Sequence, residues 1–221
     1  SFSREQEYES HRLGVQYNAR AGYDPYGMAR MLEQLENRRL ADEGQRPRAM
    51  VISCCDSRVH VTSIFGADNG EFFIHRNIAN LVPAYAPDGE QHGTSAAVEY
   101  AVQTLRVAHL IVVGHTNCGG VAGCLAMCSG HAPELEEKTS FVGRWMDILR
   151  PGYERVTGLP ADEQVHALEK MAVRVSLDNL MTFPFVAAAV EAGELSLHGL
   201  LHDIRDGQLW SLDGKGGFVS I

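Results

Sequence analysis

The sequence is short of positive charge. Its 221 residues carry 19 Lys and Arg against 28 Asp and Glu, a net charge of −9 with His neutral. Nucleic acid is bound by a basic face, so this balance argues against a nucleic-acid partner and favours solubility. Long apolar runs are also missing. No stretch of about 18 apolar residues occurs, so no transmembrane helix and no membrane partner are expected. Ser1 to Arg20 is polar and charged, without the apolar stretch of a signal peptide, and a cytoplasmic location is the expectation. There is no internal repeat, low-complexity tract or convincing linker. Cysteine is scarce and unevenly placed: five residues, at 54, 55, 118, 124 and 128. An odd number in two distant clusters does not suit a disulfide framework. It points instead to metal or thiol chemistry in a reducing compartment. An apolar fraction of 45% is ordinary, and the length can bury the core of one domain, with or without terminal arms.

Apolar periodicity places the elements. Met28, Met31, Leu32 and Leu35 recur near helical spacing and predict a helix over 27–42, broken by Glu43-Gly44-Gln45-Arg46-Pro47. Ala49 to Cys54 is a short apolar run of the kind that forms a buried parallel strand. Glu71 to Arg76 reads as a second strand. Thr94 to Leu105 reads as a helix, capped by Thr94 or Ser95, and Leu110 to Val113 as a third strand, with Gly114-His115 at its end. Gly119 and Gly120 then permit a tight turn into a helix near Val121 to Met127. Helices follow over 141–149, 162–180 and 184–192. Leu195 to His202 alternates as a strand, and Asp206-Gly207 signals a hairpin before Gln208–Leu212. The fold class expected is α/β: a mostly parallel central sheet flanked by helices, with an N-terminal helical arm over 1–44 and a metal-binding domain over 45–221.

Two motifs 61 residues apart carry the chemistry: Cys54-Cys55-Asp56-Ser57-Arg58 and His115-Thr116-Asn117-Cys118-Gly119-Gly120. Both sit at the C-terminal ends of predicted buried strands, the edge at which open α/β sheets bind ligands. Cys54, His115 and Cys118 match the three protein ligands of a catalytic zinc site, which leaves a fourth position open. Water bound to zinc has a pKa lowered to about 7, so hydroxide is available near neutral pH. Asp56 is placed to hold the remaining hydrogen of that hydroxide. Arg58 can clamp Asp56 through two parallel hydrogen bonds. The same Asp56 can instead serve as a fourth ligand and close the site; the sequence permits both states.

Four motifs in order identify a resemblance: Cys54-x-Asp56-Ser57-Arg58-Val59, Gly70 through Asn80, Glu99-Tyr100-Ala101-Val102, and Gly114-His115-x-x-Cys118-Gly119-Gly120. Together they resemble the beta-class carbonic anhydrases from about Gln45 to the C-terminal strands. The resemblance implies zinc on Cys54, His115 and Cys118, and a catalytic dyad of Asp56 and Arg58. It implies that Gln45 hydrogen-bonds substrate, that Phe73, Ile78 and Tyr100 line an apolar cleft, and that the Gly119 N–H faces the substrate. The reaction implied is reversible hydration of CO2 to bicarbonate and a proton, by attack of zinc-bound hydroxide. The assembly implied is a homodimer or a dimer of dimers, with the N-terminal arm embracing the partner. Gln45, and Val51 where some bacterial members carry a Trp of an inhibitory bicarbonate site, place the chain with the plant-like, non-allosteric members. Cys55, usually a small residue in the family, and His60-Val61-Thr62 depart from the pattern without removing a ligand.

The bland readings differ in weight. Cys54 or His115 alone would be an ordinary core residue; their joint placement is what argues for a metal. Cys124 and Cys128, four apart on a predicted helix, read as buried core. His60, His75, His131, His166, His198 and His202 read as structural or surface residues, and Arg76 and Asn77 as residues that cap and pair structural groups. The alternative functions are hydrolysis of COS or CS2 on the same scaffold and a non-catalytic zinc protein closed by Asp56. A dithiol redox protein is disfavoured, because the redox motif separates its two cysteines by two residues.

Overall fold

The computed structural model describes residues 4–88 and 92–221. The chain divides into two compact units, Ser1–Gln45 and Arg46–Ile221. The first contains helices α1 (Arg4–Arg20) and α2 (Gly27–Glu43). Ser1 to Ser3, the start of the expected arm, lie outside the described residues. The apolar residues that predicted α2, Met31, Leu32 and Leu35, are each about half exposed.

The second unit is built on one sheet. Its elements run β1 (Ala49–Cys54), α3 (Val61–Phe65), β2 (Phe72–Asn77), α4 (Gly93–Glu99), β3 (His109–His115), α5 (Gly119–Cys128), α6 (Phe141–Met146), α7 (Arg150–Glu154), α8 (Ala161–Leu180), α9 (Pro184–Glu191), β4 (Ser196–His202), β5 (Leu209–Leu212) and β6 (Phe218–Ser220). The strand order is β2-β1-β3-β4-β5-β6. The first four strands are parallel, and β5 and β6 add antiparallel to β4. This is the expected α/β class. β1 is apolar throughout because it lies inside the sheet and every one of its residues is buried.

The two faces of the sheet bury different side chains, as the period of two requires. Met50, Ile52, Leu110 and Val112 pack with Val173, Leu180 and Phe183 from the α8–α9 side. Val51, Val113 and Leu200 meet Val61 of α3 on the other side. A third cluster gathers Cys54 and Cys118 with Met146, Leu149, Leu168 and Ala172, so the two cysteines are backed by the apolar side of α5, α6 and α8.

The predicted helix over 94–105 is divided. It is α-helical to Glu99, and Tyr100–Thr104 then forms a π turn in which the Leu105 N–H donates to the Tyr100 carbonyl at 3.0 Å. Neither Thr94 nor Ser95 is the cap; His92 holds that position. The Thr94 hydroxyl is used elsewhere, 3.0 Å from His75 Nε2 on β2 and accepting from Asn77 Nδ2 at 3.4 Å.

Candidate metal centre

β1 and β3 are adjacent and parallel, with Ser53 opposite Val113. Cys54 and His115, the last residues of these strands, therefore meet at one edge of the sheet. A short turn after β3 brings back Cys118, which caps α5. The turn is made by Asn117 at φ 54, in the left-handed region that Asn tolerates better than most residues. Sequence reasoning gave this task to Gly119 and Gly120, but α5 already begins at Gly119. Gly120 is required for space: a Cβ there would stand 2.7 Å from Ile78 Cγ2 and 3.1 Å from Ala79 Cβ.

Cys54, His115 and Cys118 are all buried, and their ligand atoms lie within 4.8 Å of one another. The two sulfurs are 3.9 Å apart. His115 Nδ1–H donates to the Thr116 carbonyl at 2.9 Å, which fixes the tautomer and leaves Nε2 as a lone pair. That Nε2 is buried and has no hydrogen-bond partner among the described residues. A buried orphan nitrogen facing two thiols requires an explanation, and a cation supplies one. The sulfurs are prepared for negative charge: the backbone N–H groups of Asp56 and Ala79 face Cys54, and those of Val121 and Gly120 face Cys118.

The two thiols titrate as a pair. A hydrogen bond from Cys118 holds the Cys54 thiol well below its ordinary value, with His115 adding to the effect. The bond to Cys54, then burial and then the Cys54 charge push the Cys118 thiol up. Two thiolates this close do not both form without a cation between them. For His115, burial lowers the pKa, but the neighbouring Cys54 sulfur and its charge outweigh burial and raise it. Two sulfurs and one imidazole form a donor set that fits Zn²⁺.

Asp56 stands beside this cluster, its Oδ2 3.9 Å from His115 Nε2. Arg58 holds it from two directions: Nε donates to Oδ1 at 2.9 Å and Nη2 to Oδ2 at 2.6 Å. The Arg58 backbone N–H also donates to Oδ1, at 3.0 Å. These bonds hold the Asp56 carboxyl well below the usual carboxylate range. Arg58 Nη2 reaches further, to the Asn117 carbonyl at 3.0 Å.

Other predicted site residues are distributed around this centre. Ile78 touches the space reserved by Gly120, and its carbonyl accepts from Trp145 Nε1 at 2.8 Å. Phe73 of β2 and Tyr100 of the π turn pair with ring centroids 5.8 Å apart. Gly119 is exposed at the first turn of α5. Gln45 is the last residue of the first unit and is exposed there. Cys124 is fully buried, 4.0 Å from the sulfur of half-buried Cys128.

Two residues have larger parts than the sequence suggested. Arg76, read as a structural cap, donates from Nε to the Cys54 carbonyl at 2.9 Å and from Nη2 to the carbonyls of Asp56 and Val59 at 2.8 and 2.9 Å. It thereby shapes the whole loop that carries Cys54, Asp56 and Arg58. Glu169 of α8, overlooked in the sequence, is buried and accepts from the Cys118 N–H at 3.1 Å. Its sequence signal was a charged residue within the apolar stripe of Leu168, Ala172, Val173 and Leu180.

Comparison with known proteins identifies the relatives of this chain. The family described as carbonic anhydrase matches residues 49–209. Beta carbonic anhydrase 3 of Arabidopsis thaliana is 39% identical over 180 residues, which are 78% of this chain and 68% of that protein. The structure of the beta-carbonic anhydrase CcaA superposes with a TM-score of 0.73 at 29% identity, covering 97% of this chain and 92% of the other. A tetrameric beta-carbonic anhydrase from Sordaria macrospora gives a TM-score of 0.65 at 27% identity, over 95% and 98% of the two chains.

Proposed function

Since the chain belongs to the beta-class carbonic anhydrases, we propose that it hydrates CO2 reversibly at a zinc ion held by Cys54, His115 and Cys118. The observation that carries this reading is the Asp56–Arg58 clamp beside an unpaired His115 Nε2. Three donors converge, and the carboxylate that would close the site as a fourth is tied to a guanidinium instead. Zinc bound there supplies a Lewis acid that makes water nucleophilic near neutral pH.

The chain's own residues do the rest. Asp56 accepts a hydrogen bond from the attacking water and turns the water's free lone pair toward the CO2 carbon. Arg58 keeps Asp56 ionised and out of the fourth position, as expected of a plant-like member open at neutral pH. Phe73, Ile78 and Tyr100 offer apolar surface to a substrate with no net dipole, and the Gly119 N–H donates to a substrate oxygen. The balance is CO2 + H2O to HCO3⁻ + H⁺, with the proton leaving to solvent or buffer. Residues 1–44 serve as a dimerisation arm; the half-exposed Met31, Leu32 and Leu35 supply apolar surface for a second copy.

The test is stopped-flow CO2 hydration by the zinc-loaded protein between about pH 6.5 and about pH 9. Fast turnover already near neutrality supports the open site. Turnover only at alkaline pH keeps the enzyme but places Asp56 on the metal. No turnover with zinc bound, and sulfide released from COS, would move the substrate assignment.

A further inference from the structure

The peptide unit between Asn117 and Cys118 is held at both ends. Its carbonyl accepts from Arg58 Nη2 at 3.0 Å, and its N–H donates to Glu169 Oε1 at 3.1 Å. In a trans peptide these two groups point in opposite directions, so Arg58 and Glu169 grip the unit from opposite sides. The unit follows Asn117 in its left-handed conformation and directly precedes the Cys118 ligand. Rotating this plane would move the Cys118 sulfur and withdraw the acceptor that fixes Arg58. Arg58 in turn fixes Asp56.

Glu169 suits this task and is costly for any other. It is 3% exposed and sits on α8 between the buried Leu168 and Ala172. A buried carboxylate is tolerated only where its oxygens are bonded. One oxygen accepts from Cys118 N–H, and the other faces His166 Nδ1 at 3.2 Å. Behind the ligand turn lies a cavity of about 350 Å³ lined by Thr116, Asn117, His166, Glu169, Asp203 and Arg205. Val165 is the one apolar side chain in that lining, so on this side the 117–118 peptide is held mainly by its bonds to Arg58 and Glu169. Thr116 adds two more: its N–H donates to the His202 carbonyl at 3.0 Å and its hydroxyl to Asp203 Oδ1 at 3.1 Å.

We infer that Glu169 is a positioning residue for the metal centre: by accepting from the 117–118 peptide it sets both the Cys118 ligand and, through Arg58, the Asp56 carboxylate. The inference rests on the reading of Cys54, His115 and Cys118 as metal ligands.

Two near-isosteric replacements separate acceptance from charge. Glu169→Gln keeps a carbonyl oxygen at the same reach and removes the charge. Glu169→Asp keeps the charge and withdraws the oxygens by one methylene. The readouts are the rate of zinc transfer to a competing chelator and kcat for CO2 hydration, with near-UV circular dichroism reporting the fold. Positioning predicts that Glu169→Gln stays within about 3-fold of the unmodified enzyme in both, while Glu169→Asp loses roughly 10- to 100-fold, the range for residues that orient metal ligands. The reverse order would assign the role to charge and overturn the inference, as would equal losses or two unaffected variants.

A measurement on the unmodified zinc enzyme stands independently of variants that fail to fold. The Cys118 amide proton should resonate downfield and resist exchange, as expected of a donor to a buried carboxylate. Exchange as fast as that of exposed loop amides refutes the contact. If the unmodified protein binds no zinc, the metal-site reading itself fails; if it binds zinc and the variants are indifferent, only the role of Glu169 fails.

Discussion

Replacing Arg58 with Ala tests the reading of the centre most directly. The substitution removes both side-chain bonds to Asp56 and the bond to the Asn117 carbonyl, but keeps the backbone N–H that donates to Asp56 Oδ1. Asp56 is thus left tethered by one oxygen, with Oδ2 free 3.9 Å from His115 Nε2. From there a small rotation takes it into the fourth position. If the released carboxylate occupies that position in about 99% of molecules, turnover falls about 100-fold from this cause alone. Loss of the oriented acceptor brings the expected deficit to 10²–10⁴-fold, the usual contribution of a positioned acid or base.

The assay is kcat/KM for CO2 hydration near neutral pH with zinc content measured on the same sample. Zinc content should not change, because Arg58 is not a ligand and Glu169 still holds the Cys118 N–H. Combining Arg58→Ala with Asp56→Asn should cost little more than Asp56→Asn alone, because the guanidinium acts through the carboxylate. An Arg58→Ala enzyme within about 3-fold of the original, or losses that multiply in the double variant, would refute the clamp.

Burial holds the pKa of His75 below its ordinary value; burial does the same for His198, with the neighbouring His109 adding to it. The unfolded chain then binds more protons below about pH 6.5, so their stabilisation is fully present above that pH and is lost progressively as pH falls below it. Thermal melts should drop between about pH 7.5 and about pH 5.5, and His75→Gln should flatten the drop; a melt that rises on acidification would contradict this. Gly143→Ala should destabilise by about 3 kcal/mol or more, because the added Cβ would fall on the Leu135 carbonyl oxygen. Gly123→Ala, with open space around it inside α5, should stabilise by about 0.5–1 kcal/mol. Urea titration of both variants checks the pair, and equal midpoints would refute the packing argument. Removing zinc with a chelator should lower the melting temperature on the order of 10 °C at zinc about 1,000-fold above its Kd; an unchanged melt would mean that the three residues do not hold a metal in the folded state.

What the sequence disclosed follows from how far each signal reaches along the chain. β1 and β3 were legible because strands buried on both faces are apolar without interruption. Their ends fell beside the Cys54 and His115 motifs, so the metal cluster followed once the two strands were neighbours. α3 and β6 were not legible, since five and three residues are too few for a period to appear. The π turn at Tyr100 left no local trace either. Thr94 looked like a cap because caps are chosen from such residues, yet its hydroxyl is taken by β2, a partner remote in sequence.

The same limit explains the two residues of the centre whose parts were missed. Arg76 reaches back 22 residues to the Cys54 carbonyl, and Glu169 lies 51 residues beyond Cys118. Both meet the ligand loops through backbone groups, and a peptide group has no residue identity to pair with. The ligands themselves could be read because zinc requires Cys and His. The residues that orient them were bound only to offer a donor or an acceptor at the right point, a requirement many residue types meet. Glu169 alone left a mark, a carboxylate inside an apolar stripe. A buried charge on a helix that packs beside a candidate metal loop is therefore the sequence feature from which such orienting residues can be sought first.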